Sequence, residues 1–149
     1  AVSGVAALIA GVIVLGGPYL SVREVSLGSN ASAHDPQAAL SDFAAASRLN
    51  PLSSVPGRLA GVVALNSGQY EVAERRFQQS IRREPGGWFS WLGAGLAASA
   101  LGDRSSAEAY FRRAYAINDR QPADQAALQR VNTTHPMTSS EAFNVLVVR

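Results

Sequence analysis

The sequence predicts an all-α chain, with one N-terminal transmembrane helix followed by a solenoid of helical hairpins. Three observations predict it. The first 22 of the 149 residues carry no charge, a set of positions recurs every 34 residues between Asp35 and Asp119, and helix start and stop signals punctuate each recurrence.

The charge-free stretch, residues 1–22, reads AVSGVAALIAGVIVLGGPYLSV. As a helix it is roughly 33 Å long, about one hydrocarbon core. No basic segment precedes it and no A-x-A site follows, so it fits a removable signal peptide poorly. A buried helix of a soluble domain is the rival reading. The chain starts at Ala rather than Met, which is expected of a fragment or processed product whose missing part lies upstream. Ser3, Ala7 and Gly11 share one helix face. Small residues at that spacing let other transmembrane helices approach closely; an Ala-rich composition accounts for the same stripe. Gly16-Gly17-Pro18 should kink or end the span near the interface, where Tyr19 can anchor.

The remainder repeats itself. Phe43, Phe77 and Phe111 lie 34 residues apart, as do Ala39, Ala73 and Ala107. Ala46, Ser80 and Ala114 follow, then Pro51, Pro85 and Asp119. In the helices before them Gly61 matches Gly95, Ala64 matches Ala98 and Gly68 matches Gly102. The period implies paired antiparallel helices: small residues let the backbones cross closely, and the Phe fills the space toward the next pair. One pair cannot bury that face alone, so pairs stack.

The punctuation places the helices. Asp35-Pro36 is a cap followed by a first-turn Pro, opening a helix that ends near Leu49 before Pro51. Helices over 54–65 and 69–83 are separated by Asn66-Ser67-Gly68 and closed by Pro85. Helices over 88–100 and 104–117 meet at Gly102. Pro122 opens a short helix to about Val131, and Thr138 with Glu141 can form a capping box for a last helix near 139–148. The run Val145-Leu146-Val147-Val148 is also compatible with a strand. The expected division is a transmembrane helix (1–22), repeats over 23–121 and a helical C-terminal cap (122–149). The repeats are a degenerate unit (23–53) and two full units (54–87 and 88–121).

A 34-residue period with small residues and one Phe at fixed offsets is the tetratricopeptide pattern. Trp91, Gly95, Gly102, Ala107, Phe111 and Ala114 fit it well, whereas Ala98 and Ala64 replace its usual Tyr and Asp119 its closing Pro. Leu27 stands where the first unit should carry its helix-one Gly. The segments PYLSVRE, DPQAALSDFAAASRLNPLSSVP, REPGGWFSWLGAGLAASALGD and HPMTSSEAFNVLVVR together resemble the C-terminal part of actinobacterial O-antigen ligase-like (O-antigen polymerase family) membrane proteins. In that family a polytopic glycosyltransferase module can precede tetratricopeptide-like repeats. The resemblance implies a bacterial cytoplasmic membrane location, with catalytic residues in the polytopic module, and it places none of them on this chain.

Composition narrows the chemistry. All 13 basic residues are Arg and face 11 acids, a net charge of +2. That is far from the basic surface of a nucleic-acid binder, so no nucleic acid is expected as partner. Cys is absent, which removes disulfides, thiolate metal sites and cysteine nucleophiles. Arg and Ala use without Lys suggests a GC-rich bacterial genome.

No motif points to catalysis, a metal or a cofactor. Gly93-Ala94-Gly95-Leu96-Ala97-Ala98 matches a dinucleotide fingerprint in letters only, because it lies within a helix rather than after a strand. His34 and His135 are about a hundred residues apart, without metal-ligand spacing. No G-x-S-x-G elbow marks a nucleophile. Arg75-Arg76, Arg82-Arg83 and Arg112-Arg113 fall on second helices. They read as a solvated face supported by Glu71–Arg75 and Glu108–Arg112 pairs, or as a contact for anionic membrane lipid or glycan. Trp88 and Trp91 either lock a junction between units or open onto a groove.

Stacked first helices line a concave face, which places Arg58, Val62, Leu65, Asn66, Phe89, Leu92 and Leu96 on a groove. The expected role is non-catalytic docking of a protein partner or envelope glycan there, as the accessory part of a cell-envelope polysaccharide ligase or polymerase. A stand-alone membrane-anchored adaptor is the alternative.

Overall fold

A computed structural model describes residues 20–29, 31 and 34–147. Eight helices and no strand occur among them. Residues 20–29 are helical (α1). Then come α2 (Pro36–Leu49), α3 (Val55–Asn66), α4 (Tyr70–Arg83), α5 (Trp88–Ala100), α6 (Arg104–Ile117), α7 (Pro122–Arg130) and α8 (Ser139–Val147). The strand alternative for the last segment gives way to α8. The expected membrane span lies outside the described residues except for 20–22, which belong to α1. Ser21 of α1 is buried and its Oγ donates to the Ala46 carbonyl at 3.0 Å, tying α1 to α2. Among the described residues no helix is long and apolar enough to cross a membrane.

Local chemistry sets the helix ends. Asp35 caps α2 by accepting from the backbone N–H groups of Gln37 and Ala38, with Pro36 opening the helix. Asp103 caps α6 through the Ser106 N–H at 3.0 Å, and its hydrogen bonds to Ser106 lower the carboxyl's pKa. The hairpin turns use Gly68 and Gly102 at φ +71° and +81°, where an L side chain is strained. Past each glycine the chain bonds back, from Gln69 N to Ala64 O (2.8 Å) and from Asp103 N to Ala98 O (3.0 Å). This Schellman arrangement satisfies the last carbonyls and reverses the chain.

Helices pack mainly on their chain neighbours, α3 with α4, α4 with α5 and α5 with α6. The rings that recur at the period form the spine of the core, with Phe43, Phe77 and Phe111 buried. Each lies against glycine. A Cβ on Gly61 would come within 2.8 Å of the Phe77 ring, one on Gly93 would strike the same ring, and one on Gly95 would strike Phe111. Phe77 is thus held between its own hairpin and the next, which is how a repeat that cannot bury its face alone becomes part of a stack.

The first hairpin departs from the sequence expectation. Gly28, not position 27, meets Phe43, at 2.8 Å from an added Cβ. Gly28 and Phe43 are 15 residues apart, whereas Gly61 and Phe77 are 16 apart, so the strict period points one residue too early. The close helix crossing is kept and α1 packs as a repeat helix. Side chains on the second helices reinforce the stack. Gln78 Nε2 donates to Tyr110 Oη (2.8 Å) and Tyr110 Oη to Glu74 Oε1 (3.1 Å), linking α4 to α6. Arg83 Nη1 donates to Ser47 Oγ (3.0 Å) and the Ser53 carbonyl (2.8 Å), linking α4 to α2 and its following loop.

Candidate functional site

The concave face is built from the first helices of the hairpins, α3 and α5. On α5 the positions Phe89, Leu92, Leu96 and Ser99 recur at three- and four-residue spacing and share a stripe. The glycines of α5 are spent on Phe77 and Phe111, so this stripe is a separate face from the one that packs on α4 and α6. On α3 the stripe is Arg58, Val62, Leu65 and Asn66. Arg58 and Leu92 occupy equivalent positions 34 apart, as do Val62 and Leu96. The face therefore changes from polar on α3 to apolar on α5.

The two halves are exposed differently. Leu65, Leu92 and Leu96 keep only 2%, 1% and 2% of their surface accessible, and Phe89 is half-buried. The C-terminal helix explains this. The segment leading into α8, Pro136–Met137–Thr138, and Ser139 line one small cavity with Leu65, Leu96 and Ser99. Val145 and Leu146, near the other end of α8, line a cleft with Trp88, Phe89 and Pro122. The helix therefore crosses the concave face, its start near Leu96 and Ser99 and its end near Trp88, with α7 and α3 as its main helix contacts. Phe143 stacks on Phe89 with centroids 6.1 Å apart, and Phe89 in turn meets Phe77 edge-on at 6.5 Å. A ladder of rings thus joins the core to the last helix. On α8 the residues turned inward are Ala142, which is fully buried, with Phe143 and Leu146 packed against the core.

The start of α8 is pinned. Thr138 Oγ1 accepts from Glu141 N (3.3 Å) while Glu141 Oε2 accepts from Thr138 N (2.8 Å), the reciprocal capping box expected from T-S-S-E. Arg130 at the end of α7 donates to Glu141 at 3.2 Å and to the His135 carbonyl at 3.0 Å. The Thr138 backbone bond, then Arg130, hold the Glu141 carboxyl below the usual range. Buried Met137 just before the cap and Ala142 in the first turn stand at the two positions of a hydrophobic staple.

The α3 side is covered in part, since α8 also contacts α3. Arg58 is partly exposed and lies 3.9 Å from Glu84, whose carboxylate also accepts from Ser54 Oγ. Val62 is half-buried, and Asn66 is exposed at the end of α3. Arg58 and Asn66 thus stand at opposite ends of α3. The tryptophans divide. Trp91 Nε1 donates to the Pro85 carbonyl (2.9 Å), and its ring faces Tyr110 at 6.0 Å and the Arg113 guanidinium at 5.9 Å, locking α5 to the preceding turn and to α6. Trp88 opens onto the cleft at the end of α8. Of the two expected surface ion pairs, Glu108–Arg112 forms. The other, Glu71–Arg75, does not form among the described residues.

Two features were not foreseen from sequence. One is the return of α8 to the groove. Its stripe of Ser139, Ala142, Phe143 and Leu146 at helical spacing was the available signal. The other is Asp124 in the first turn of α7. Its side chain is fully buried, and neither carboxylate oxygen has a hydrogen-bond partner. Desolvation pushes its pKa up to about 7. Among the described residues no group of three metal-ligating side chains gathers.

Helical hairpins stacked on buried Phe–Gly contacts around a concave face define a tetratricopeptide-like repeat fold. Solved structures agree. The Arabidopsis OM64 TPR domain superposes with a TM-score of 0.73 at 18% identity, covering 80% of this chain and 99% of that one. The first TPR of Spaghetti (RPAP3), solved bound to the HSP90 peptide SRMEEVD, superposes with a TM-score of 0.72 at 12% identity, covering 76% and 91%. MamA gives 0.65 at 26% identity, and 72% of this chain matches 63% of MamA, so the match spans under two thirds of that protein. No protein-family model and no curated protein matches the sequence.

Proposed function

We propose that the chain is a docking module that holds a protein partner on its concave face. The observation that carries this is the stacked-hairpin face itself, with polar points at the partly exposed Arg58 and the exposed Asn66 beside an apolar stripe on α5. A structural neighbour holds a peptide. Repeat stacking makes extended concave surfaces rather than closed reaction pockets. Arg58, Val62, Leu65, Asn66, Phe89, Leu92 and Leu96 form the docking surface in this reading. The charge-free stretch ahead of α1 anchors the module in a bacterial cytoplasmic membrane, where lipid and other transmembrane helices are further contacts.

The finer form of the reading puts the module beside a cell-envelope polysaccharide ligase or polymerase, with an envelope glycan as second ligand. Its support is the sequence resemblance. Reading the open frame upstream of Ala1 tests it: about ten further apolar spans favour it, and a nearby start codon favours the stand-alone adaptor.

The docking reading is tested with the whole chain in detergent, against the partner it captures from envelope extract. Arg58→Ala with Asn66→Ala should weaken that partner's binding at least tenfold while leaving the melting temperature nearly unchanged. Unchanged affinity would show that the groove is the wrong surface. Glycosyl transfer by the purified chain would show that it is more than a docking module.

A further inference from the structure

We infer that α8 is a displaceable ligand carried in cis, and that the partner for the apolar half of the groove is an amphipathic helix presenting the same stripe. This rests on the docking reading above and names the occupant of one half of that surface. The chain's own tail shows what chemistry the face accepts: a helix with a small residue (Ala142), an aromatic ring on Phe89 (Phe143) and an aliphatic residue one turn on (Leu146).

Three observations make α8 an occupant rather than a fixed part of the solenoid. It has only nine residues, too few for a stable helix by itself, so it exists through its seat. Residues 131–138 join it to α7 without regular helix, buried at Val131 and Met137 and exposed over 132–135, and that exposed stretch is the tether. Its inward face is three residues, Ala142, Phe143 and Leu146, and its start is pinned by the capping box and by a partly exposed Arg130–Glu141 pair of modest strength, so the rest of the helix is held by apolar contact. By contrast α5 is packed on both sides by α4 and α6.

A cleft of about 330 Å³ lies between Val145 and Leu146 of α8 and Trp88, Phe89, Arg120 and Pro122 of the solenoid. A partner helix that takes the place of α8 meets that same lining. Such a helix competes with a tethered segment at high effective concentration, so the native chain binds it weakly until α8 is weakened or drawn away.

The experiment uses the full chain and, as probe, a labelled peptide of residues 136–149 added in trans. The peptide should bind the Phe143→Ala/Leu146→Ala chain at least tenfold more tightly than the native chain. Equal affinity for the two, or no binding to either, overturns the inference. Hydrogen exchange on the native chain gives an independent reading. Amides of α8 should exchange through an opening that leaves α3 to α6 protected, and exchange of α8 only with global unfolding would overturn the inference equally. Neither negative result touches docking at Arg58 and Asn66, whose failure is read from the partner affinity of that double variant.

Discussion

Single atoms decide where this chain tolerates change. Gly93 is inside a helix, where Ala is normally favoured by about 1 kcal/mol. Here the added methyl would strike the fully buried Phe77 ring, which also lies against Gly61 of its own hairpin. Gly93→Ala is therefore expected to lose about 1–3 kcal/mol, the usual cost of overpacking. Gly86→Ala, with nothing within 4 Å of its new Cβ, should stay within about 0.5 kcal/mol. Thermal melts of the two variants check this, and equal shifts would contradict the ring clamp. Asp124 makes the second residue-scale prediction. Its folded pKa, pushed up to about 7, lies above the value of about 3.9 in an unfolded chain. Between those values the folded state holds a proton that the unfolded state has released. Stability therefore falls as pH rises through this window and levels off above it. Asp124→Asn should flatten the pH dependence of the melting temperature between pH 4 and 7, and an unchanged slope would clear Asp124 of causing it.

At the scale of the element, the hairpin is the unit, and its central ring carries the packing. Phe77 touches glycines of two successive hairpins, so truncating it opens a cavity at a junction as well as within a pair. Phe77→Ala should cost about 3–5 kcal/mol. Arg82→Ala, on the exposed face of the same helix, should cost well under about 1 kcal/mol. Chemical denaturation of the two variants gives both numbers, and similar losses would mean that the repeat register is misplaced. The elements were legible in sequence where side chains act locally. Asp35-Pro36, Gly68, Gly102 and the Thr138–Glu141 box placed helix boundaries to within about a residue, because caps and positive-φ turns depend on neighbours a few positions away. The glycine of the first hairpin was misplaced by one residue. A period fixes spacing between copies only while each copy has the same length.

For the whole molecule, the charge-free N-terminal stretch and the repeat unit make separate demands on solvent. The charge-free residues 1–22 should hold the chain in membranes, and the purified chain should be monodisperse in detergent but not in plain buffer. Light scattering in the two conditions tests this, and a monodisperse chain in plain buffer would remove the anchor from the reading. At this scale the concave face is divided in two. Asn66 at the end of α3 is exposed and Arg58 partly so, whereas Leu65 of α3 and Leu92 and Leu96 of α5 are buried where the chain's own last segment crosses the face.

That division marks where sequence stops and tertiary structure begins. The 34-residue recurrence of Phe, Ala and Gly already determined a stack of helical hairpins, because one ring and its glycines at a fixed offset have one efficient packing. The same recurrence put Leu92 and Leu96 on one face with Arg58 and Val62. It was silent on what covers that face. The stripe of Ala142, Phe143 and Leu146 announces an apolar side, but its seat depends on the reach of the 131–138 connection and on the ring that Phe89 offers across the groove. Asp124 follows the same logic. In sequence it is a favourable acid in the first turn of a helix. Only the packing around the start of α7 removes its water and supplies no partner, turning a surface acid into a buried one.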